Sequence, residues 1–211
     1  MTTIAPSANR RYQIPFVVAL SITLIMGIVI TGLDVLQPSE PVLSILSFIP
    51  GIISITALSA SGLSRTELNL RFAWISLPGF LVLVAITVLL LPILGSNTGW
   101  SGWHWLLGLV YAPASGIAQE IYFRGSLLPA LERALHGKKL VAILLQAVVF
   151  VAYHFRTFRS VQSLPIAILV AAVLFTAGCG WAWQVQRDQT VFWTIVQHGL
   201  FLTLMSMFEW A

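Results

Sequence analysis

The sequence predicts an all-α fold, a polytopic transmembrane bundle of about 7–8 helices around a polar intramembrane cavity. Three observations support this prediction. The chain of 211 residues is 58% hydrophobic, and its mean hydropathy is +0.91. Only 9% of the residues are charged, whereas soluble domains carry about 25%. The apolar residues form continuous runs, not the alternating strands of a transmembrane barrel.

Seven apolar runs approach or exceed the roughly twenty residues that a helix needs to cross a bilayer. The second run contains Pro50 and Gly51, which predict a break within it. The fourth run is long enough for two helices if Pro113, Ser115 and Gly116 interrupt it, and that would make eight helices. The seven runs cover residues 14–36, 42–63, 72–94, 103–135, 140–155, 164–185 and 191–210.

The basic residues predict the orientation of these runs. The net charge is +4, from eleven Lys and Arg against seven Asp and Glu. The bases are scattered over the loops, which favours the positive-inside rule over a nucleic-acid partner. If every run crosses the bilayer, most bases fall on one side, and this side is expected to be cytoplasmic. These bases are Arg10, Arg11, Arg65, Arg71, Arg133, Lys138, Lys139 and Arg187.

The chain is expected to form one domain. Residues 1–12 are polar and predict a short cytoplasmic tail, and residues 13–211 predict a single transmembrane domain. The first apolar run is too long for the core of a signal peptide, so we expect a retained span and an integral, multi-pass membrane protein. The single cysteine, Cys179, excludes a disulfide within the chain and a cysteine zinc cluster. The tryptophans, Trp181 among them, are interpreted as interfacial anchors.

A few polar residues interrupt the apolar runs. Ionisable groups inside a span are costly and usually face a partner or a water-filled cavity. Glu120 and Arg124 are four residues apart with the acid first, the favourable order for an ion pair on a helix. They form either a structural pair or a pair in which Arg124 orients the carboxylate toward a reactant. The polar residues inside the runs are Gln119, Glu120, Arg124, Gln146, His154, Gln184, Gln197 and His198.

The depths of three of these residues are similar. Glu120 lies near the middle of the fourth run. His154 lies about fourteen residues from the basic start of the fifth run, and His198 about eight from that of the seventh, at about 1.5 Å of rise per residue. The three side chains are therefore predicted to share a layer of the bundle. One carboxylate and two imidazoles can activate a water directly or through a divalent metal.

Three motifs occur in order within the apolar runs. QEIYFRG covers residues 119–125, FVAYH covers 150–154 and HGLFL covers 198–202. Over about residues 103–205 the chain resembles the CPBP family of intramembrane proteases, named for CAAX prenyl proteases and bacteriocin-processing enzymes and also called Abi. The motifs of that family are EExxxR, FxxxH and HxxxN or HxxxD.

The resemblance implies a glutamate-dependent protease whose helices surround a cavity. A glutamate of the first motif and His154 would activate water, and His198 would stabilise the oxyanion. The cofactor is left open: either a divalent metal such as zinc, with Glu120, His154 and His198 as ligands, or none. The resemblance also implies a bacterial plasma membrane. The expected partners are membrane lipid and a peptide or membrane protein, while the oligomeric state is not predicted.

Two residues depart from the family pattern. Gln119 replaces the glutamate usually assigned as general base, and an amide cannot take up a proton. Leu202 replaces the asparagine that would bind an oxyanion. One hypothesis is an intramembrane endopeptidase with Glu120 as the general base in place of Gln119. Its catalytic residues are Glu120, His154, His198, Gln119 and Arg124, with Gln119 or Gln197 donating to the oxyanion.

A second hypothesis is a pseudoprotease that keeps the cavity and acts as a membrane binding, scaffold or immunity protein. A third is a small transporter or channel component. The absence of an internal repeat in the sequence disfavours this third hypothesis.

Overall fold

The computed structural model describes most of the apolar runs. Within those residues the secondary structure is almost wholly helical, so the predicted all-α class is confirmed. The 1–12 tail, nearly all of the 72–94 run and the first residues of the 103–135 run lie outside the described part. The described residues are 14–36, 40–73, 81, 85, 96–97, 110–160, 163–206 and 208–209.

The N-terminal region contains three helices, α1 (Phe16–Leu36), α2 (Glu40–Leu46) and α3 (Phe48–Ala60). The predicted break at Pro50 and Gly51 is wrong, because the interruption lies at Ser47. Pro50 occupies the third position of α3, in the first turn, where a backbone N–H has no intrahelical acceptor to lose. Gly51 is needed for packing, since a Cβ there would lie 2.7 Å from the side chain of Ile121.

The central stretch is a helix with one wide turn in it. It consists of α4 (Ala112–Tyr122), a π-helix (Phe123–Leu127) and α5 (Leu128–Ala134). The alternative of a break at Pro113, Ser115 and Gly116 does not occur, because α4 continues through all three residues. Pro113 fits because it lies in the first turn of α4. The irregularity lies instead at the π-helix, which coincides with the FRG part of the first motif.

The C-terminal half contains α6 (Lys139–Tyr153), α7 (Phe155–Ser160), α8 (Leu164–Asp188) and α9 (Phe192–Ser206). Helices α6, α8 and α9 confirm the predictions for the last three apolar runs. The sequence did not predict the short antiparallel pair of β1 (Ser96–Asn97) and β2 (Phe208–Glu209). That pair joins segments more than a hundred residues apart.

By length and composition, three described segments could cross a bilayer: Phe16–Leu36, Pro41–Ala60 and Leu164–Asp188. Helix α6 is apolar but shorter. Helix α4 packs against both α3 and α9, while α6 packs against α8 and α1 against α3. The first and third motifs therefore lie on helices that pack together, and the second lies on α6, which contacts the π-helix.

Candidate active site

Glu120 is the centre of a buried polar cluster. Its side chain is 0% exposed, and its Oε1 atom accepts a hydrogen bond from Nη1 of Arg124 at 2.8 Å. The same oxygen lies 2.8 Å from Nδ1 of His198. A carboxylate paired with a guanidinium can only accept, so Nδ1 of His198 must carry the proton in this bond. The structure thus brings together three of the predicted site residues, from the first and third motifs.

Arg124 lies in the π-helix and is 0% exposed. Its guanidinium carbon lies 4.4 Å from the ring centre of Phe150 and 5.3 Å from that of Trp181. Aromatic faces stabilise a cation that has been removed from water. Within the described residues, Nε and Nη2 of Arg124 have no hydrogen-bond partner. The arginine is therefore held by one carboxylate oxygen and by aromatic rings.

The π-helix is stabilised by a side chain of its own. The hydroxyl of Ser126 donates to the carbonyl of Ile121, five residues earlier, at 3.0 Å. The hydrogen bonds of a π-helix join residues five positions apart. Such turns are rare in proteins, and those that occur are often found at functional sites. Ser126 thus supports the wide turn at the point where Arg124 pairs with Glu120.

A close helix crossing places His198 beside Glu120. A Cβ added at Gly116 would lie 3.1 Å from the backbone nitrogen of Gly199 and 3.2 Å from the carbonyl carbon of His198. Gly116 and Glu120 are one turn apart, so they share a face of α4. The absence of a side chain at Gly116 therefore lets α9 approach until His198 reaches the carboxylate.

We predict that Gly116→Ala destabilises the protein by about 1–3 kcal/mol, because the new methyl group meets the backbone of α9 and overpacks the crossing. Gly180→Ala is the matched control, since nothing lies within 4 Å of a Cβ at that exposed helical position. We expect this control to be neutral or to stabilise by up to about 1 kcal/mol. Unfolding of both variants in detergent micelles measures the difference, and equal midpoints would contradict the close crossing.

His154 is held at the end of α6. Its Nδ1 lies 2.8 Å from the carbonyl oxygen of Phe150. A carbonyl only accepts, so Nδ1 of His154 must also carry the proton. The ring of Phe150 lies 4.6 Å from that of His154 and 6.1 Å from that of His198. The two histidines therefore flank one phenylalanine. Each has its Nδ1 engaged, and no described residue bonds to its Nε2.

The other predicted polar residues lie outside this direct network. Gln119 is buried, and its Nε2 donates to the hydroxyl of Ser115 at 3.3 Å within α4. Gln197 precedes His198 and is buried. Amides inside apolar helices usually form interhelical hydrogen bonds, and Gln146 and Gln184 are both buried. Within the described part of the chain, neither amide has a hydrogen-bond partner.

Sequence reasoning missed the role of Trp181, which was interpreted as an interfacial anchor. Its ring stacks on that of His198, with centres 4.6 Å apart and an angle of 29° between the planes. It also faces the guanidinium of Arg124. Trp181 lies two turns before the end of α8 at Asp188, about 10 Å deeper at 1.5 Å per residue. That depth was the signal in the sequence that distinguishes it from an anchor at a helix end.

The next feature is whether the described side chains could hold a metal ion. Among the residues that the structure describes, no group of three or more His, Cys, Asp or Glu side chains is placed to hold a metal ion. The metal set of Glu120, His154 and His198 stays a prediction. The arrangement that is present supports proton transfer, since one carboxylate orients one imidazole and a second imidazole lies across a phenyl ring.

Comparison with known proteins identifies a family. The family model described as Rce1-like: Type II CAAX prenyl endopeptidase Rce1-like matches residues 100–204. That range contains all three motifs and every residue of the buried cluster. No curated protein and no solved structure matches the chain.

Proposed function

The chain belongs to the CPBP family of CAAX-type proteases, and from this premise we propose that it is an endopeptidase acting on a membrane-associated protein or peptide. It is an integral membrane protein with long apolar helices, and its family is a protease family. The observation that carries the proposal is the 2.8 Å contact between Oε1 of Glu120 and Nδ1 of His198. A carboxylate that fixes Nδ1–H directs the Nε2 lone pair of the imidazole toward a reactant.

The proposed reaction uses this lone pair as the base. Nε2 of His198 accepts a proton from water while the water oxygen bonds to the carbonyl carbon of the scissile peptide. The tetrahedral oxyanion then collapses, the C–N bond breaks, and Nε2–H returns its proton to the leaving amine. Glu120 holds the imidazole, and Arg124 holds Glu120. His154 contributes a second imidazole on the other side of Phe150. The Nε2 atom of His154 can accept a hydrogen bond from the same water or from the substrate.

The oxyanion donor is the less complete part of the proposed site. Leu202 offers no hydrogen bond at the position where the family motif has asparagine. Gln119 and Gln197 are the candidate donors, and both amides are buried. One N–H of Gln119 donates to Ser115, so its second N–H would serve in this way. A lost oxyanion donor costs about 10²–10³ in rate, so slow turnover is part of the proposal.

We also propose the wider setting predicted from the sequence. The chain crosses the membrane several times, with its N-terminus in the cytoplasm and about 7–8 helices around a polar cavity. The membrane is the bacterial plasma membrane, and the partners are lipid and a peptide or membrane-protein substrate. The charge distribution supports this orientation.

A pseudoprotease is the second candidate function, favoured by the two side chains, Gln119 and Leu202, that depart from the family motifs. The amide of Gln119 is engaged within its own helix, and Leu202 is apolar. In this alternative the buried cluster stabilises the fold, and the protein binds a membrane partner or peptide without cleaving it. The two candidates predict different behaviour in one assay.

The assay uses purified protein in nanodiscs with a panel of transmembrane and C-terminally farnesylated peptides. We predict slow cleavage by the natural chain and a rate about 10²-fold higher in the double variant Gln119→Glu/Leu202→Asn, which regains a carboxylate and an oxyanion donor. Product formation by mass spectrometry measures both. Cleavage by the double variant but not by the natural chain supports the pseudoprotease. The absence of cleavage by both proteins refutes the endopeptidase.

A further inference from the structure

The segment that follows α3, residues 61–73, is a folded loop. The backbone N–H and the hydroxyl of Ser64 each donate to Oε2 of Glu67 at 2.8 Å, and these bonds hold the pKa of Glu67 below its usual range. Leu68 is fully buried in a cluster with Ala19 and Leu58. The loop is thus anchored on α1 and α3 by its apolar side chain.

Asn69 directs this loop toward the candidate site. It is 4% exposed and has a φ of 57°, in the left-handed region that Asn tolerates better than most residues. Its Nδ2 donates to the backbone carbonyl of Arg124 at 3.3 Å. Its own carbonyl accepts a hydrogen bond from the backbone N–H of Val191 at 2.9 Å. One residue therefore bonds to the π-helix through its side chain and to the start of α9 through its backbone.

The residues after Asn69 extend both contacts. Leu70 forms a bridge with Thr190, and its side chain lies 3.8 Å from a Cβ placed at Gly125 of the π-helix. The ring of Phe72 packs at 4.8 Å from that of Phe192. The loop thus joins the turn that carries Arg124 to the helix that carries His198. The Glu120–His198 contact joins α9 to the same continuous helical stretch, one turn before Arg124.

We propose that Asn69 is a positioning residue that sets the π-helix and its Arg124–Glu120 pair in register with His198. The proposal rests on the proposed function, because the register matters through the proton that His198 transfers. The physical reason is that each side of the Glu120–His198 bond belongs to a different helix. Asn69 makes one hydrogen bond to Arg124, one turn after Glu120, and one to Val191, the residue before α9. A small misplacement of reacting groups costs up to about 10²-fold in rate.

The test uses Asn69→Gly, because glycine adopts a φ of 57° without strain and keeps the backbone bond to Val191 while removing the amide. Leu68→Ala is the matched control: it weakens the anchoring of the same loop but leaves the Asn69 amide in place. The primary measurement is the ¹⁵N and ¹³C NMR spectrum of labelled histidine rings in micelles, without substrate. His198→Gln assigns the His198 signals.

We expect Asn69→Gly to shift or broaden the His198 ring signals and to lower kcat about tenfold with KM unchanged within about twofold, as follows from misplacement of a proton-transfer group. Asn69→Asp, which keeps the side-chain size but lacks the donor, is expected to act in the same direction. Leu68→Ala is expected to lower the unfolding midpoint and leave the His198 signals in place.

Unchanged His198 signals in both Asn69 variants would overturn the proposal, and so would an equal shift in Leu68→Ala. The spectrum is recorded without substrate, so it tests the role of Asn69 even if the natural chain cleaves nothing. A natural chain that cleaves no peptide would count against the proposed endopeptidase and not against the role of Asn69. The failure of one proposal is thereby separated from the failure of the other.

Discussion

Glu120→Gln is expected to lower the rate of peptide cleavage by about 10⁴-fold, the loss found when the carboxylate that orients a catalytic histidine becomes an amide. The reason lies in the shared oxygen. Oε1 of Glu120 accepts from both Arg124 and His198 at 2.8 Å. An amide keeps one acceptor oxygen but carries no charge, and its NH₂ group would oppose Nδ1–H of His198. The imidazole then loses its fixed tautomer, and with it the directed Nε2 lone pair.

Glu132→Gln is the matched control for this prediction. Glu132 is a partly exposed carboxylate on α5 that accepts a hydrogen bond from Gln186 at 3.1 Å and lies 3.8 Å from the ammonium of Lys139. It lies eight residues after Arg124, and these two partners are outside the buried cluster. We expect its rate to stay within about twofold of the natural chain, since exposed ion pairs contribute little. More than a tenth of the activity remaining in Glu120→Gln would refute the role of Glu120.

The helices were largely predictable because their signal is local. Apolar runs of sufficient length define α1, α6, α8 and α9, and no distant contact is needed to see them. The positions of the interruptions were not predictable from proline and glycine alone. Pro50 and Pro113 both occupy first turns, where proline fits, so neither breaks its helix. The β1–β2 pair depends on contacts between distant segments, which a local pattern does not reveal.

The candidate site also has features that local sequence predicts and features that it does not. The spacing of Glu120 and Arg124 predicts their ion pair, and depth places His198 in the same layer. The structure brings these three into contact. The π-helix at Phe123–Leu127 was not predictable, because it depends on the hydroxyl of Ser126 and on packing around the turn. Asn69 and Trp181 were missed because their roles come from helices and loops far away in sequence.

Arg124→Gln is expected to destabilise the protein by about 3–5 kcal/mol, the cost of leaving one charge of a buried pair without its partner. Both side chains are 0% exposed, so water cannot replace the lost guanidinium beside Glu120. The variant also loses the contact of the cation with the Phe150 ring at 4.4 Å. Equilibrium unfolding in mixed micelles measures the change. Arg133→Gln is the control, since Arg133 faces Phe16 at the exposed end of α5 and is expected to cost at most about 1 kcal/mol.

The double variant Glu120→Gln/Arg124→Gln separates the structural role of the pair from its catalytic role. With both charges removed, no uncompensated charge stays buried, and two amides can bond to each other across the same turn. We expect the double variant to be more stable than Arg124→Gln by at least about 2 kcal/mol, a coupling typical of directly bonded residues. Its cleavage rate should nevertheless stay as low as that of Glu120→Gln, because His198 still lacks its carboxylate. Additive losses of stability would show that the two side chains do not act as a pair. Recovered activity would show that stability alone, and not the orientation of His198, had been lost in the single variant.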